Sequence, residues 1–288
     1  MTLLQALILG IVQGLTEFLP ISSTAHLTLF GRWLGCIDPE HPEQWTAFIA
    51  VMQLGTLIAV LIYFTNDIVN ITREFILGNI SYIQKRDLVL SPTARLGWYI
   101  IVGSLPIGIV GYSFKKIIEG TLTKNLYVIS ASLIILAIIL FFAEHYGRKV
   151  RSVDQLTILD AIFVGFAQVL ALIPGSSRSG TTMTAGLLMG LTRVSAAKFS
   201  FLLGIPAIGA SGIYEFYSEF YKSYKDGLVA PINTALIVST IAAAIVGYLS
   251  IAFLMHYLQT RTTNVFVVYR IALGVLILIL LLTGKLSS

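Results

Sequence analysis

Pro174-Gly175-Ser176-Ser177-Arg178-Ser179-Gly180-Thr181-Thr182 follows directly on an apolar run, residues 158–173, that is too short to cross a bilayer. A transmembrane helix needs about 20 mostly apolar residues. This run holds Gln168, ends at the proline, and gives way to a short helical pattern at about 177–190. An earlier stretch behaves the same way. Residues 3–19 hold Gln13 and Glu17, stop at Pro20, and continue through Ile21-Ser22-Ser23-Thr24-Ala25-His26 into a short pattern at about 22–35. Polar, proline-interrupted backbone at membrane depth is tolerated only inside protein or beside a water-filled cavity. Both segments therefore read as re-entrant helical hairpins that stop near the middle of a membrane.

Composition supplies the membrane. The 288 residues are 56% hydrophobic and 11% charged, against roughly 25% charged in an average soluble domain. Mean hydropathy is +0.86. Such a chain is neither a soluble enzyme, a disordered segment nor a disulfide scaffold, and its single cysteine, Cys36, has no partner within the chain. The N-terminus, Met1-Thr2-Leu3-Leu4, has no positive leader region or small-residue cleavage site, so the first apolar segment is expected to be retained. Six stretches are long and apolar enough to span: 46–64, 94–113, 125–143, 195–213, 233–255 and 265–283. The net charge of +5 would suggest nucleic acid as the partner of a soluble protein. Here it indicates basic loops beside anionic lipid and a cation kept for an anionic substrate, with no nucleic acid involved.

The chain also repeats itself. Ala6, Gly10 and Gln13 recur at a constant offset as Ala161, Gly165 and Gln168, and Pro20-x-Ser22-Ser23 recurs as Pro174-x-Ser176-Ser177. Ile109-Val110-Gly111-Tyr112 recurs as Ile245-Val246-Gly247-Tyr248, and Asn125-Leu-Tyr-Val is echoed by Asn264-Val-Phe-Val. Four matches in one order divide a single integral membrane domain, residues 1–288, into repeats at 1–142 and 157–283. Each holds one hairpin and three spans. Three is odd, so the second repeat enters from the opposite side, and the expected fold is an all-α polytopic membrane protein of two inverted-topology repeats. Alternating the loops puts Arg73, Lys85, Arg86, Arg148, Lys149, Arg151 and Arg261 on one side. Lys115, Lys116, Lys124, Lys222 and Lys225 fall on the other, offset by Glu119, Glu215, Glu219 and Asp226. The first side is then cytoplasmic, with both termini and the mouth of the first hairpin outside.

An ionisable residue inside a membrane is costly enough to be a functional candidate by default. The hairpins concentrate such residues: Glu17 and His26 in the first, Arg178 in the second. Gln13 and Glu17, at i and i+4, share one helical face and offer hard oxygen donors of the kind Mg²⁺ or Ca²⁺ takes. Substrate phosphate and water would have to complete that shell. Ser22 or Ser23 is placed to cap a helix. Ser23 and His26, at i and i+3, suit a nucleophile and base, although capping and packing explain the same residues. In the second motif, Gly175 and Gly180 free the backbone, Ser176, Ser177, Ser179 and Thr182 supply hydroxyls, and Arg178 supplies a forked cation that matches phosphate. Close helix packing explains the small residues but not the arginine. Arg270 lies near one end of its span and is expected to snorkel to the interface.

These segments resemble the undecaprenyl-pyrophosphate phosphatase family of the bacitracin-resistance (BacA) type. The family's Glu or Gln, three residues and Glu match Gln13-x-x-x-Glu17. Its Pro-x-Ser-Ser-x-x-His matches Pro20 to His26, and its Pro-Gly-x-Ser-Arg-Ser-x-x-Thr matches Pro174 to Thr182. The resemblance covers essentially the whole chain. It implies hydrolysis of undecaprenyl pyrophosphate to undecaprenyl phosphate and inorganic phosphate, which recycles the lipid carrier of cell-wall polymers. It also implies dependence on a divalent cation (Mg²⁺ or Ca²⁺), a place in the bacterial cytoplasmic membrane, and an active site facing the outer side. Carried over by position, Arg178 holds the pyrophosphate with Ser177, Ser179 and Thr182, helped by Ser22, Gly175 and Ser176. Glu17 and Gln13 hold metal or water. Ser23 is the nucleophile with His26 as base, or His26 attacks directly. Gln13 stands where many members carry Glu, so weaker metal affinity is expected; Ala25 stands where Gly is common, a change expected to matter little. The polyprenyl pyrophosphate and the membrane lipid are the expected partners, and a homodimer is left open. The rival reading is a flippase of undecaprenyl phosphate, since inverted repeats with broken helices also build transporters.

Overall fold

The computed structural model describes residues 1–38, 40, 42–84, 89–114, 118, 125–225 and 234–286. The charges Lys85, Arg86, Lys115, Lys116, Glu119, Lys124 and Asp226, on which part of the orientation rests, lie outside them. Among the described residues there are eleven α-helices and no strand. These are α1 (Leu3–Phe18), α2 (Ser23–Trp33), α3 (Pro42–Tyr63), α4 (Thr65–Ile83), α5 (Pro92–Ser113), α6 (Leu126–Tyr146), α7 (Ile158–Val169), α8 (Arg178–Leu188), α9 (Arg193–Lys225), α10 (Thr234–Thr260) and α11 (Asn264–Leu282). A 3₁₀ turn, Leu170–Leu172, extends α7.

Six of these are long and apolar enough to cross a membrane: Gln44–Tyr63, Pro92–Ser113, Leu126–Tyr146, Arg193–Ser218, Thr234–Thr260 and Asn264–Leu282. They coincide with the six expected spans to within a few residues. The protein is thus an all-helical polytopic membrane protein. Its outer surface carries Ile109, Ile135, Phe166, Leu249 and Val268, each more than half exposed, while Gln13, Ser176, Ser179 and Arg270 are fully buried. Apolar outside and polar inside is the arrangement lipid demands, because the bilayer cannot satisfy a polar group.

The helix α4 is an addition to the expected pattern. Asp67, Arg73 and Glu74 make 65–83 too polar to read as a span. Yet Ile68, Ile71 and Phe75 recur at helical spacing, and Phe75 sits on the bare face of Gly97 in α5. The Trp98 indole donates to Asn79 Oδ1 at 3.1 Å, and Lys198 of α9 holds Asp67 at 2.6 Å.

The packing pairs off. The first hairpin's α1 lies along α10 and folds back on α2; the second hairpin's α7 lies along α5 and folds back on α8. Span α3 packs on α9 and α10, α5 packs on α9, and α6 pairs with α11. Both α1 and α7 cross their partners at a glycine. A side chain at Gly10 would run into the Ser239 carbonyl of α10, and one at Gly165 into the Gly103 carbonyl of α5. Small residues at the crossing let membrane helices approach closely enough for dispersion to hold them.

Candidate active site

Each hairpin turns in the same way. The residue before its second helix is a serine at positive φ: Ser22 at φ 76° and ψ 97°, Ser177 at φ 65° and ψ 109°. Each serine hydroxyl accepts from the backbone N–H three residues on, Ala25 at 3.3 Å and Gly180 at 3.1 Å. That capping bond satisfies one donor of the exposed helix start. Ser22 therefore holds the cap that the sequence divided between Ser22 and Ser23. As caps, Ser22 and Ser177 correspond, at the same offset as Gln13 and Gln168, so Ser23 stands opposite Arg178. The second tip also turns at Gly175. There φ is +87°, and a Cβ would lie 2.6 Å from the Ile129 carbonyl oxygen of α6, so glycine is required for both conformation and space.

The tips bring their polar residues together. Glu17, in the last turn of α1, accepts at Oε2 from Ser23 Oγ at 2.8 Å and from Gln13 Nε2 at 3.0 Å. Its Oε1 faces Arg178 Nη2 at 3.3 Å, across 161 residues of sequence. A carboxylate only accepts, so Gln13 must turn its NH₂ toward Glu17. That leaves Gln13 Oε1 buried without a partner, as are Arg178 Nη1 and Ser176 Oγ. The Arg178 side chain lies against the bare backbone of Gly204 in α9, where a Cβ would overlap the guanidinium. The unsatisfied groups on Gln13 and Arg178, either side of Glu17, mark a candidate site for a polar ligand.

Other motif residues hold the scaffold. The Ser179 hydroxyl lies 3.3 Å from the Glu17 carbonyl and 3.2 Å from the Leu19 carbonyl, tying the second tip to the end of α1. The Thr182 hydroxyl bonds the Arg178 carbonyl at 2.8 Å and Ser200 of α9 at 2.5 Å. Ser23 and His26 share no hydrogen bond among those described. The His26 Nδ1 lies 2.7 Å from the Ser22 carbonyl, and Nε2 lies 2.7 Å from Tyr269 Oη.

Two residues went unread in the sequence, Gly204 and Tyr269, and a third, Arg270, was misread. Arg270 does not snorkel, and this corrects the expectation above. It is fully buried and donates to the Ser176 carbonyl at 3.0 Å and the Pro20 carbonyl at 3.4 Å, one from each tip. Broken helices leave carbonyls without intrahelical partners, and these make a burial site for a guanidinium that an unbroken bundle would lack. The signal was available: an arginine inside an apolar span is a functional candidate wherever along the span it falls.

The family described as "Bacitracin resistance protein BacA" matches residues 6–276. The chain belongs to the BacA family. A BacA relative from Syntrophobacter fumaroxidans is 55% identical over 95% of both chains and is named undecaprenyl-diphosphatase. Relatives of the same name from Chloroherpeton thalassium, 47% identical over the whole of both chains, and Myxococcus xanthus, 49% identical over all of this chain and 92% of the relative, agree. Among the described residues no three His, Cys, Asp or Glu side chains gather as metal ligands. Any cation in this BacA site would draw on Gln13, Glu17 and the substrate's own oxygens.

Proposed function

We infer that this protein is an undecaprenyl-diphosphatase, hydrolysing undecaprenyl diphosphate to undecaprenyl phosphate and inorganic phosphate within the membrane. The observation that carries the reading is the meeting of Glu17, Ser23 and Arg178 from two hairpins far apart in sequence. A buried guanidinium with a free Nη1 suits the terminal phosphoryl oxygens. A serine hydroxyl already donating to a carboxylate is an activated nucleophile.

Arg178 and the N-terminus of α8 hold the diphosphate, whose negative charge the helix dipole favours. Glu17 takes the Ser23 proton as Ser23 Oγ attacks the terminal phosphorus. The bond to the bridging oxygen breaks, and undecaprenyl phosphate leaves with its electron pair. Water then opens the phosphoserine and releases inorganic phosphate. Arg178 offsets the charge that develops on the equatorial oxygens. This assigns the base role to Glu17, whose oxygen touches the Ser23 hydroxyl. The orphaned Gln13 Oε1 and the Glu17 carboxylate are hard donors that fit Mg²⁺ or Ca²⁺. When bound, such a cation would supply further neutralisation of phosphate charge.

The same reading places the protein in the bacterial cytoplasmic membrane with its site toward the outer face. Arg148, Lys149, Arg151 and Arg261 at the opposite end support this. It also takes the fold as two inverted repeats with re-entrant hairpins. Three features support that: the matched caps at Ser22 and Ser177, the exchangeable pairings of α1 with α10 and α7 with α5, and the equivalent glycine crossings. Ser239 and Gly103 are related by the same offset as the two Ile-Val-Gly-Tyr segments.

The test is phosphate release from a C55 or C15 isoprenyl diphosphate by purified protein in detergent, with Mg²⁺, with Ca²⁺ and with chelator, beside Ser23→Ala. Release that requires metal and is lost in Ser23→Ala is expected. Folded wild-type protein that releases no phosphate with either metal would overturn the reading.

A further inference from the structure

We propose that Tyr269 and Arg270, consecutive in α11, are the positioning pair of this site. Tyr269 holds the His26 imidazole in one orientation and donates to its unprotonated nitrogen. Arg270 holds the two hairpin tips at the spacing that brings Glu17 and Ser23 to Arg178. The role in catalysis rests on the phosphatase reading above; the geometry does not.

The tautomer follows from hydrogen-bond accounting. The Ser22 carbonyl can only accept, so the His26 nitrogen 2.7 Å from it, Nδ1, carries the proton. In the neutral ring Nε2 is then an acceptor, and the Tyr269 hydroxyl at 2.7 Å donates to it. The two rings lie nearly parallel, 8° apart in plane with centroids at 5.6 Å. His26 is thereby held away from Ser23, whose hydroxyl goes to Glu17. Whatever His26 does to substrate or water, it does through the nitrogen that Tyr269 touches.

Arg270 performs the complementary task on the backbone. Its Nη2 donates to Ser176 O at 3.0 Å, Gly175 O at 3.4 Å and Ser132 O at 3.5 Å, and its Nη1 donates to Pro20 O at 3.4 Å. Among the described residues no carboxylate pairs with it. A buried charge without a counterion is expensive unless dipoles converge on it, and here they converge from the first tip, the second tip and α6. Gly180 makes the room, since a Cβ there would lie 2.7 Å from Arg270 Nη1. The two residues are adjacent on one rigid helix, so the imidazole and the tips are set relative to a single frame.

Two measurements test the pair. In ¹⁵N-histidine-labelled protein, with the His26 signals identified by His26→Gln, wild type is expected to show a protonated Nδ1 and an unprotonated Nε2. Tyr269→Phe is expected to keep the protonated Nδ1, which the Ser22 carbonyl fixes, and to shift the Nε2 signal as its hydrogen-bond donor is lost. In phosphate release, Tyr269→Phe should lower kcat about tenfold to a hundredfold with KM within about twofold, the cost of a misplaced group rather than of weaker binding. Arg270→Lys, which keeps the charge but not the fork, and Gly180→Ala, which displaces the guanidinium, should each lower kcat by a similar factor. A Tyr269→Phe protein with unchanged His26 signals and kcat overturns the Tyr269 assignment. Full kcat in both Arg270→Lys and Gly180→Ala overturns the Arg270 assignment. Wild type without activity defeats the phosphatase reading, and the ¹⁵N signals then decide the geometry alone.

Discussion

The two hairpin tips share a backbone and divide the chemistry. Each ends its second helix's approach on a serine at positive φ that caps the third residue on. Each enters along a helix that crosses a span at a bare glycine. Yet the first tip presents Glu17, Ser23 and His26, all groups that give or take protons. The second presents Arg178, a forked cation. The matched turns bring two helix starts together where Glu17 meets Arg178. On the phosphatase reading, the divergence in side chains gives this meeting point a nucleophilic side and a phosphate-holding side.

The sharpest way to break this comparison is to remove one charge from each tip. Arg178→Ala should lower kcat/KM by about a thousandfold, as expected for losing a donor to developing phosphoryl charge. Glu17→Gln should lower kcat by about a hundredfold or more, the scale of a lost general base, with KM changed less. Steady-state phosphate release separates the two. A Glu17→Gln effect confined to KM would contradict the division of labour.

Gln13 and Gln168 sharpen the comparison at the next level. They occupy matched positions in α1 and α7, and both are fully buried. Gln13 supports Glu17, whereas both polar atoms of the Gln168 amide are without a partner. Gln13→Leu should therefore lower activity by about tenfold, the worth of a hydrogen bond to a charged group. Gln168→Leu should leave activity within twofold and raise stability by about 1 kcal/mol, because an unsatisfied buried amide is destabilising. Thermal unfolding in detergent beside the phosphate assay checks both. Equal losses of activity in the two variants would show that the second hairpin shares the first one's chemistry.

The smallest effect belongs to the shared backbone. Ser22→Gly and Ser177→Gly each cost only a few tenths of a kcal/mol at the cap, whereas Ala costs about 1 kcal/mol there and leaves the positive-φ strain in place. Both should unfold within a few degrees of wild type, and Ser22→Ala and Ser177→Ala should each unfold at lower temperature. A large difference between the two tips would show that the caps are not equivalent.

Much of this was legible in residue order. Both hairpins are announced by apolar runs too short to span and closed by Pro20 and Pro174. The six spans are announced by their length. The helix α4 was not, because Asp67, Arg73 and Glu74 dilute the apolar stripe of Ile68, Ile71 and Phe75 below what a span requires, and its partner face lies in α5 and α9. Arg270 was misread for a related reason. Its position along the span suggested an escape to the interface, while its real partners are carbonyls 94 and 250 residues away.

The sequence by itself therefore determined the membrane class, the places where helices stop and the types of group at each stop. Those properties are local, set by hydropathy, proline and glycine within one or two turns. Only the tertiary structure decided who partners whom: Glu17 with Ser23 and Arg178, His26 with Tyr269, Arg270 with both tips. In a low-dielectric interior each buried polar group must find its partner wherever the packing of distant helices supplies one, and that supply is not written in the residues next to it.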